Sequence, residues 1–220
     1  MGKLIFFDIN GTIVKRDSRT DLPYYKAIDI LLQTENAMDG VNNSARSDKD
    51  VFIEVLGKYN QEFSEDKWTS FLKIYEGQLK KFKTTDVWRK NVDAVSFIEK
   101  LSKTEHKIAL ITGELSIGAQ YKLEKLGVWK YFNIGGFGED GLTRFDIADA
   151  ALEKAKELHG YDYDEIIVIG DTILDIKTAR HIGAKIISIT TGSNSREELE
   201  KENPDHMIDT FKDIEEYFFT

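Results

Sequence analysis

Four short polar clusters carry side chains that could handle a phosphate, a cation or an electrophile. The first is Asp8-Ile9-Asn10-Gly11-Thr12. The Asp8 carboxylate could attack phosphorus and form an acyl-phosphate, although an aspartate also forms ordinary turns. The second, Thr112-Gly113, offers a hydroxyl and a flexible amide suited to a phosphate oxygen, or a plain turn. The third is Arg144, in Gly141-Leu142-Thr143-Arg144. Its guanidinium could neutralise phosphate and orient a carboxylate, or could sit solvated on the surface. The fourth is Gly170-Asp171-Thr172-Ile173-Leu174-Asp175. Asp171 and Asp175 could hold a hard cation directly or through water, or could simply complement a helix N-terminus. Each cluster alone is weak. In this order, and three of them at the end of an apolar run, they become specific.

Short, β-branched apolar runs precede three of these clusters and recur once more: Lys3–Phe7, Lys107–Ile111, Ile166–Ile169 and Lys185–Ile189. Such runs suit buried parallel strands. Helical spacing follows them: Ile117, Tyr121, Leu123 and Leu126 stop at Gly127, and Ile173, Ile176, Ala179 and Ile182 stop at Gly183. Strands alternating with helices predict an α/β fold, a parallel sheet with helices on both faces. Open sheets of this kind bind ligands at the carboxyl ends of their strands, where the four clusters fall.

Between about Lys15 and Arg89 the pattern changes. Tyr25, Ile28, Leu31 and Leu32, then Val51, Phe52, Val55, Leu56 and Tyr59, then Trp68, Phe71, Leu72, Tyr75 and Leu79 repeat at helical spacing, with no strand among them. The expectation is an all-helical insertion over residues 15–89, covering the carboxyl edge of a core formed by 1–14 and 90–220.

The residues Phe7-Asp8-Ile9-Asn10-Gly11-Thr12, Ile111-Thr112-Gly113, Arg144 and Gly170-Asp171-Thr172 with Asp175-Ile176 resemble the motifs of the haloacid dehalogenase superfamily. The likeness is to its phosphoglycolate-phosphatase-like branch, which carries a helical cap, and it covers the whole chain. It implies a Rossmann-like core, a cap domain at 15–89, and Mg²⁺-dependent hydrolysis of a small phosphorylated metabolite. In that scheme Asp8 is the nucleophile, Thr112 and Gly113 bind phosphate, and Arg144 stands where lysine is usual. Asp8, the main-chain carbonyl of Asn10, Asp171 and Asp175 (directly or through water) would serve the metal.

One residue departs from the family pattern. Asn10 occupies the position of the aspartate that protonates the leaving alkoxide and later activates water. An amide cannot carry that proton, and loss of general acid–base help typically costs about 10²–10⁴ in rate. The chain is therefore expected to bind metal and phosphate but to turn over slowly. Two other readings fit Asn10: a dehalogenase, whose halide leaves without a proton, and a non-catalytic phosphate-binding protein. The metal cluster is superfluous to the first, and the intact remaining motifs argue against the second. A response-regulator receiver would lack so large an insertion.

Composition narrows the remaining classes. With 220 residues, 41% hydrophobic and 31% charged, the chain can bury a sizeable core. The absence of cysteine excludes thiol catalysis and thiolate zinc sites. Of the net charge of −9, −6 lies in the last 26 residues, and no basic stripe suggests nucleic acid. No apolar run approaches the roughly 18 residues of a membrane span, and no secretory leader is evident, so the cytoplasm is the expected compartment. The sequence does not fix an oligomeric state. His106, His159, His181 and His206 are scattered and form no metal cluster. In the insertion, Ser47 with Asp50 reads as a helix cap, with Arg46 or Lys49 able to reach an anionic substrate group. Tyr24, Tyr25, Trp68 and Tyr75 are expected to pack between helices.

Overall fold

The computed structural model describes residues 2–160 and 163–219. Six parallel strands, β1 (Leu4–Phe7), β2 (Lys107–Ile111), β3 (Gly135–Gly136), β4 (Ile166–Gly170), β5 (Lys185–Ile189) and β6 (His206–Ile208), lie in the order β3-β2-β1-β4-β5-β6. The first three helices are α1 (Leu22–Leu32), α2 (Asp48–Lys58) and α3 (Glu65–Phe82), all between β1 and β2. After them come α4 (Val92–Leu101), α5 (Ser116–Leu126), α6 (Arg144–His159), α7 (Ile173–His181), α8 (Arg196–Lys201) and α9 (Glu215–Phe219).

The period of two along β1 sorts the core into two layers. Leu4 and Phe6 join Ile147, Ala151, Ile176, Ala179 and Leu199 from α6, α7 and α8. Ile5 and Phe7 face the other way, onto Phe97 and Ile98 of α4, Ala119 and Leu123 of α5, and Phe218 of α9. All four β1 side chains are fully buried, each worth roughly 1.5–3 kcal/mol relative to exposure. Because β1 is apolar on both faces, it can only be a central strand.

The register then places the chemistry. Phe7 pairs with Leu110 of β2 and with Ile169 of β4. The carboxyl ends of the three central strands are therefore level, and the strand order reverses between β1 and β4, where open sheets hold ligands. The sequence reading missed β3 and β6. One is two glycines and the other three residues with an exposed histidine, so neither has the apolar run that marks a strand.

Helices α1–α3 form a layer over that edge. Phe52, Trp68, Phe71 and Tyr75 stack in a continuous aromatic file, with Phe71 and Tyr75 nearly parallel at 5.7 Å and Trp68 and Phe71 at 5.5 Å. Trp68 packs between helices as expected. The chain leaves and re-enters the sheet layer at one place. Lys15 donates its amide to the Arg89 carbonyl at 2.8 Å, and Val14 bridges Lys90 in antiparallel fashion. Among the described residues no helix is long and apolar enough to cross a membrane.

Candidate active site

Asp8 follows β1 directly, its amide bonded to the Ile169 carbonyl at 2.9 Å. Thr112 follows β2, Asp171 follows β4, and Arg144 and Asp175 lie in the first turns of α6 and α7. These five meet. Arg144, 4% exposed, donates from Nη2 to Asp8 Oδ1 at 3.3 Å, to Asp175 Oδ1 at 2.5 Å and to the Ile111 carbonyl at 3.2 Å. It is thus buried between two carboxylates rather than solvated, and its Nε, also buried, has no hydrogen-bond acceptor.

Asp171, fully buried, accepts the Ser193 amide at 2.5 Å and the Thr12 hydroxyl at 3.5 Å. Gly11 makes room for it. Its φ of +100° is a conformation that side chains disfavour, and a β-carbon there would collide with the Asp171 carboxylate. Asp175 commits Oδ2 to the Thr172 amide and hydroxyl, at 3.0 and 2.6 Å. The helix-cap reading of that acid therefore holds alongside its contact with Arg144.

The electrostatics follow from crowding acids away from water. Burial, reinforced by Asp175, pushes the Asp8 carboxyl well above its usual range, with Arg144 opposing. Burial and then Asp175 raise Asp171 to about 7. Burial alone would lower Arg144, but Asp175 and Asp8 more than offset it and the guanidinium stays charged. Carboxylate oxygens of Asp8, Asp171 and Asp175 lie within 4.8 Å of one another. An all-oxygen, mutually repelling, buried donor set suits a hard cation such as Mg²⁺.

Thr112, Gly113 and Asn10 line a cavity of about 220 Å³ together with Asp8 and Arg144. The Thr112 hydroxyl accepts the Glu114 amide at 3.2 Å. Gly113 is pressed against the insertion. A β-carbon there would collide with the Arg46 carbonyl, and the Gly113 carbonyl accepts the Asp48 amide at 2.7 Å. Ser47 caps α2 by accepting the Asp50 amide, and its hydroxyl also faces the carbonyls of Gly138 and Gly141, each at 2.8 Å. Of the two basic residues expected to be able to reach a ligand, Arg46 lines the cavity. Arg46 is bound to Asp50 and Glu54, and Lys49 lies over Phe63 and Trp68. Tyr24, Tyr25 and Tyr75 line the cavity as well as packing.

Sequence reasoning missed Lys122. It is 1% exposed, and its ammonium lies 3.1 Å from Asn10 Oδ1, 2.8 Å from Glu114 Oε1 and 3.5 Å from Asp21 Oδ1. Burial would lower its pKa, but Glu114 and Asp21 hold it above the usual value. One signal was available: Lys122 continues the apolar stripe Leu115, Ala119, Leu126 at helical spacing.

Comparison with known proteins gives the same assignment as the motifs. A family model described as haloacid dehalogenase-like hydrolase matches residues 5–180, and a HAD-hydrolase-like model matches 148–214. The chain is 26% identical to a phosphoglycolate phosphatase of Vibrio parahaemolyticus, over 96% of this chain and 94% of that one. It is 25% identical to phosphoglycolate phosphatase 1 of Pseudomonas aeruginosa, over 96% and 78%. A crystal structure of a hydrolase from Pseudomonas syringae superposes with a TM-score of 0.70 at 21% identity, covering 97% of this chain and 96% of that one.

Proposed function

The chain belongs to the haloacid dehalogenase-like hydrolase family, and on that premise we propose that it is a Mg²⁺-dependent phosphatase of small phosphate monoesters working through an aspartyl-phosphate on Asp8. The observation that carries this reading is Arg144. It is a buried guanidinium between Asp8 and Asp175 on a cavity wall, with Nε still lacking an acceptor. A phosphoryl oxygen would supply that acceptor and match the charge.

An Asp8 carboxylate oxygen attacks phosphorus opposite the ester oxygen. The P–O bond to the alcohol breaks and the aspartyl-phosphate forms. The Thr112 hydroxyl and Gly113 amide hold phosphoryl oxygens, while Arg144 neutralises charge and aims Asp8. Asn10 cannot donate a proton, so the departing alkoxide takes one from solvent. Water then attacks phosphorus, passes its proton to the released phosphate and frees Asp8. Asp8, Asp171 and the Asn10 carbonyl would hold Mg²⁺, with Asp175 acting through Arg144 or a water. When bound, the ion neutralises the nucleophile and phosphate so that they can meet. Residues 15–89 are read as a cap over a core of 1–14 and 90–220, which the single antiparallel bridge between Val14 and Lys90 supports.

The test is release of inorganic phosphate from p-nitrophenyl phosphate with and without Mg²⁺, for the chain as it stands and for Asp8→Asn. Slow, Mg²⁺-dependent release is expected, falling more than about a thousandfold in the variant. Activity that survives full chelation removes the metal from the scheme, and activity that survives Asp8→Asn removes the nucleophile.

A further inference from the structure

Beyond Asp8, the cavity is walled by the insertion and by the start of α5. Three tyrosines meet there. Tyr24 stands at 77° to Tyr25, with ring centroids 6.5 Å apart, and at 82° to Tyr75, 5.7 Å apart. The Tyr24 hydroxyl is already bonded to the Asp48 carbonyl at 2.6 Å. Tyr24 and Tyr75 are almost wholly buried against each other and Phe71, so the rings give the cavity a limited aromatic wall, of which the π faces, not the edges, attract an alkylammonium group.

Charge at this end points the same way. Asp21, Asp48 and Glu114 line it, and the one ammonium among them is Lys122. Asp48 Oδ2 accepts the Leu115 amide at 3.0 Å. Glu114 is 6% exposed, and its Oε1 is paired with the Lys122 ammonium at 2.8 Å. Arg46 also lines the cavity but is paired to Asp50 and Glu54. Arg16 is exposed, and Asp17 is tied to Arg19 and Arg89. The remaining charged wall residues, Asp8, Asp175 and Arg144, belong to the phosphate end. Three carboxylates against the Lys122 ammonium and the exposed Arg16 guanidinium leave this lobe with a surplus of one acid. Burial holds the Asp48 and Glu114 carboxyls above their usual range, a cost that an incoming cation relieves.

We propose that the ester this site accepts is a phosphomonoester of an amino alcohol, its phosphate over Asp8 and its positively charged nitrogen in the corner of Tyr24, Tyr25 and Tyr75 beside Asp21, Asp48 and Glu114. The assignment rests on the phosphatase reading above. An alcohol bearing a carboxylate, as in phosphoglycolate, brings another negative charge into a lobe that already has a surplus, and like charges at close quarters discriminate strongly.

The experiment compares kcat/KM for phosphoethanolamine and phosphocholine with glycerol 3-phosphate and phosphoglycolate in Mg²⁺, with p-nitrophenyl phosphate as the reference ester. Both ammonium esters should exceed the other two by at least about tenfold, the effect of one charge contact at an intermediate dielectric. In Asp21→Asn that preference should fall at least about fivefold. Asp21 is part-exposed and makes no side-chain cap to α1, so the variant should fold. If p-nitrophenyl phosphate is cleaved but glycerol 3-phosphate or phosphoglycolate matches the ammonium esters, or none of the four is cleaved, the substrate class is overturned and the phosphatase reading stands. An unchanged preference in Asp21→Asn overturns the placement of the nitrogen. Failure to cleave any ester, p-nitrophenyl phosphate included, removes the phosphatase reading and this inference with it.

Discussion

Replacing Asn10 by aspartate returns a proton carrier to the position beside the nucleophile. General acid–base catalysis is typically worth about 10²–10⁴ in rate, and the structure shows why the full amount is not expected here. Lys122 Nζ lies 3.1 Å from the side-chain oxygen of residue 10. An aspartate there would face an ammonium, which lowers a carboxyl pKa by roughly 1–3 units. Each unit removes about a factor of ten from the protonated fraction near neutral pH. Glu114, 2.8 Å from the same ammonium, shares its charge and limits the loss. The net expectation for Asn10→Asp is a gain of at least about tenfold in kcat, or roughly 1.4 kcal/mol of barrier. The assay is steady-state phosphate release in saturating Mg²⁺ between pH 5 and 8, with p-nitrophenyl phosphate and an alkyl phosphate run in parallel. The gain should be larger for the alkyl ester, whose alkoxide needs the proton more. Unchanged turnover for both esters would refute the claim that the amide limits this chain.

Two further outcomes follow from the same cluster and its neighbour. Asp171 is held near 7 against an unfolded value of 3.8, so without metal the folded state keeps a proton that the unfolded chain has already lost. Stability should therefore be greatest at low pH within the folded range and decline as pH rises from about 4 through 7, by up to a few kcal/mol. Urea melts in chelator at pH 5 and pH 8 check the sign, and Mg²⁺ should recover most of the loss at pH 8; a metal-free midpoint that rises with pH contradicts it. Gly113→Ala forces a β-carbon against the Arg46 carbonyl. It should cost about 1–3 kcal/mol as an overpacking change and speed proteolysis of the 42–47 segment, so an unaltered melt and digest would show that this contact carries no strain.

The parts of the fold legible in the sequence were those with local causes. Leu4–Phe7 and Ile166–Ile169 declare central strands because a doubly buried strand has no room for polar residues. β3 stayed hidden because its place is set by packing on β2 and α6 rather than by its own two glycines. Within the site, Asp8, Thr112 and Asp171 were readable because each ends a strand. Arg144 was a candidate, but its burial depends on two acids more than 30 residues distant in sequence. Lys122, Glu114 and Asp21 come together only when α1 and α5 have each packed against α3, so their meeting has no local trace.

The Gly113–Glu114 peptide takes the Asp48 amide at its oxygen end, while its nitrogen end donates to the Thr112 hydroxyl. A peptide unit is a rigid plate, so it acts as a lever with one arm on α2 and the other on the hydroxyl that faces the cavity. Any tilt imposed by the helical layer re-aims Thr112, and any pull on Thr112 tugs at α2. The placing of the Thr112 hydroxyl and that of α2 are in this way tied to one another through six coplanar atoms.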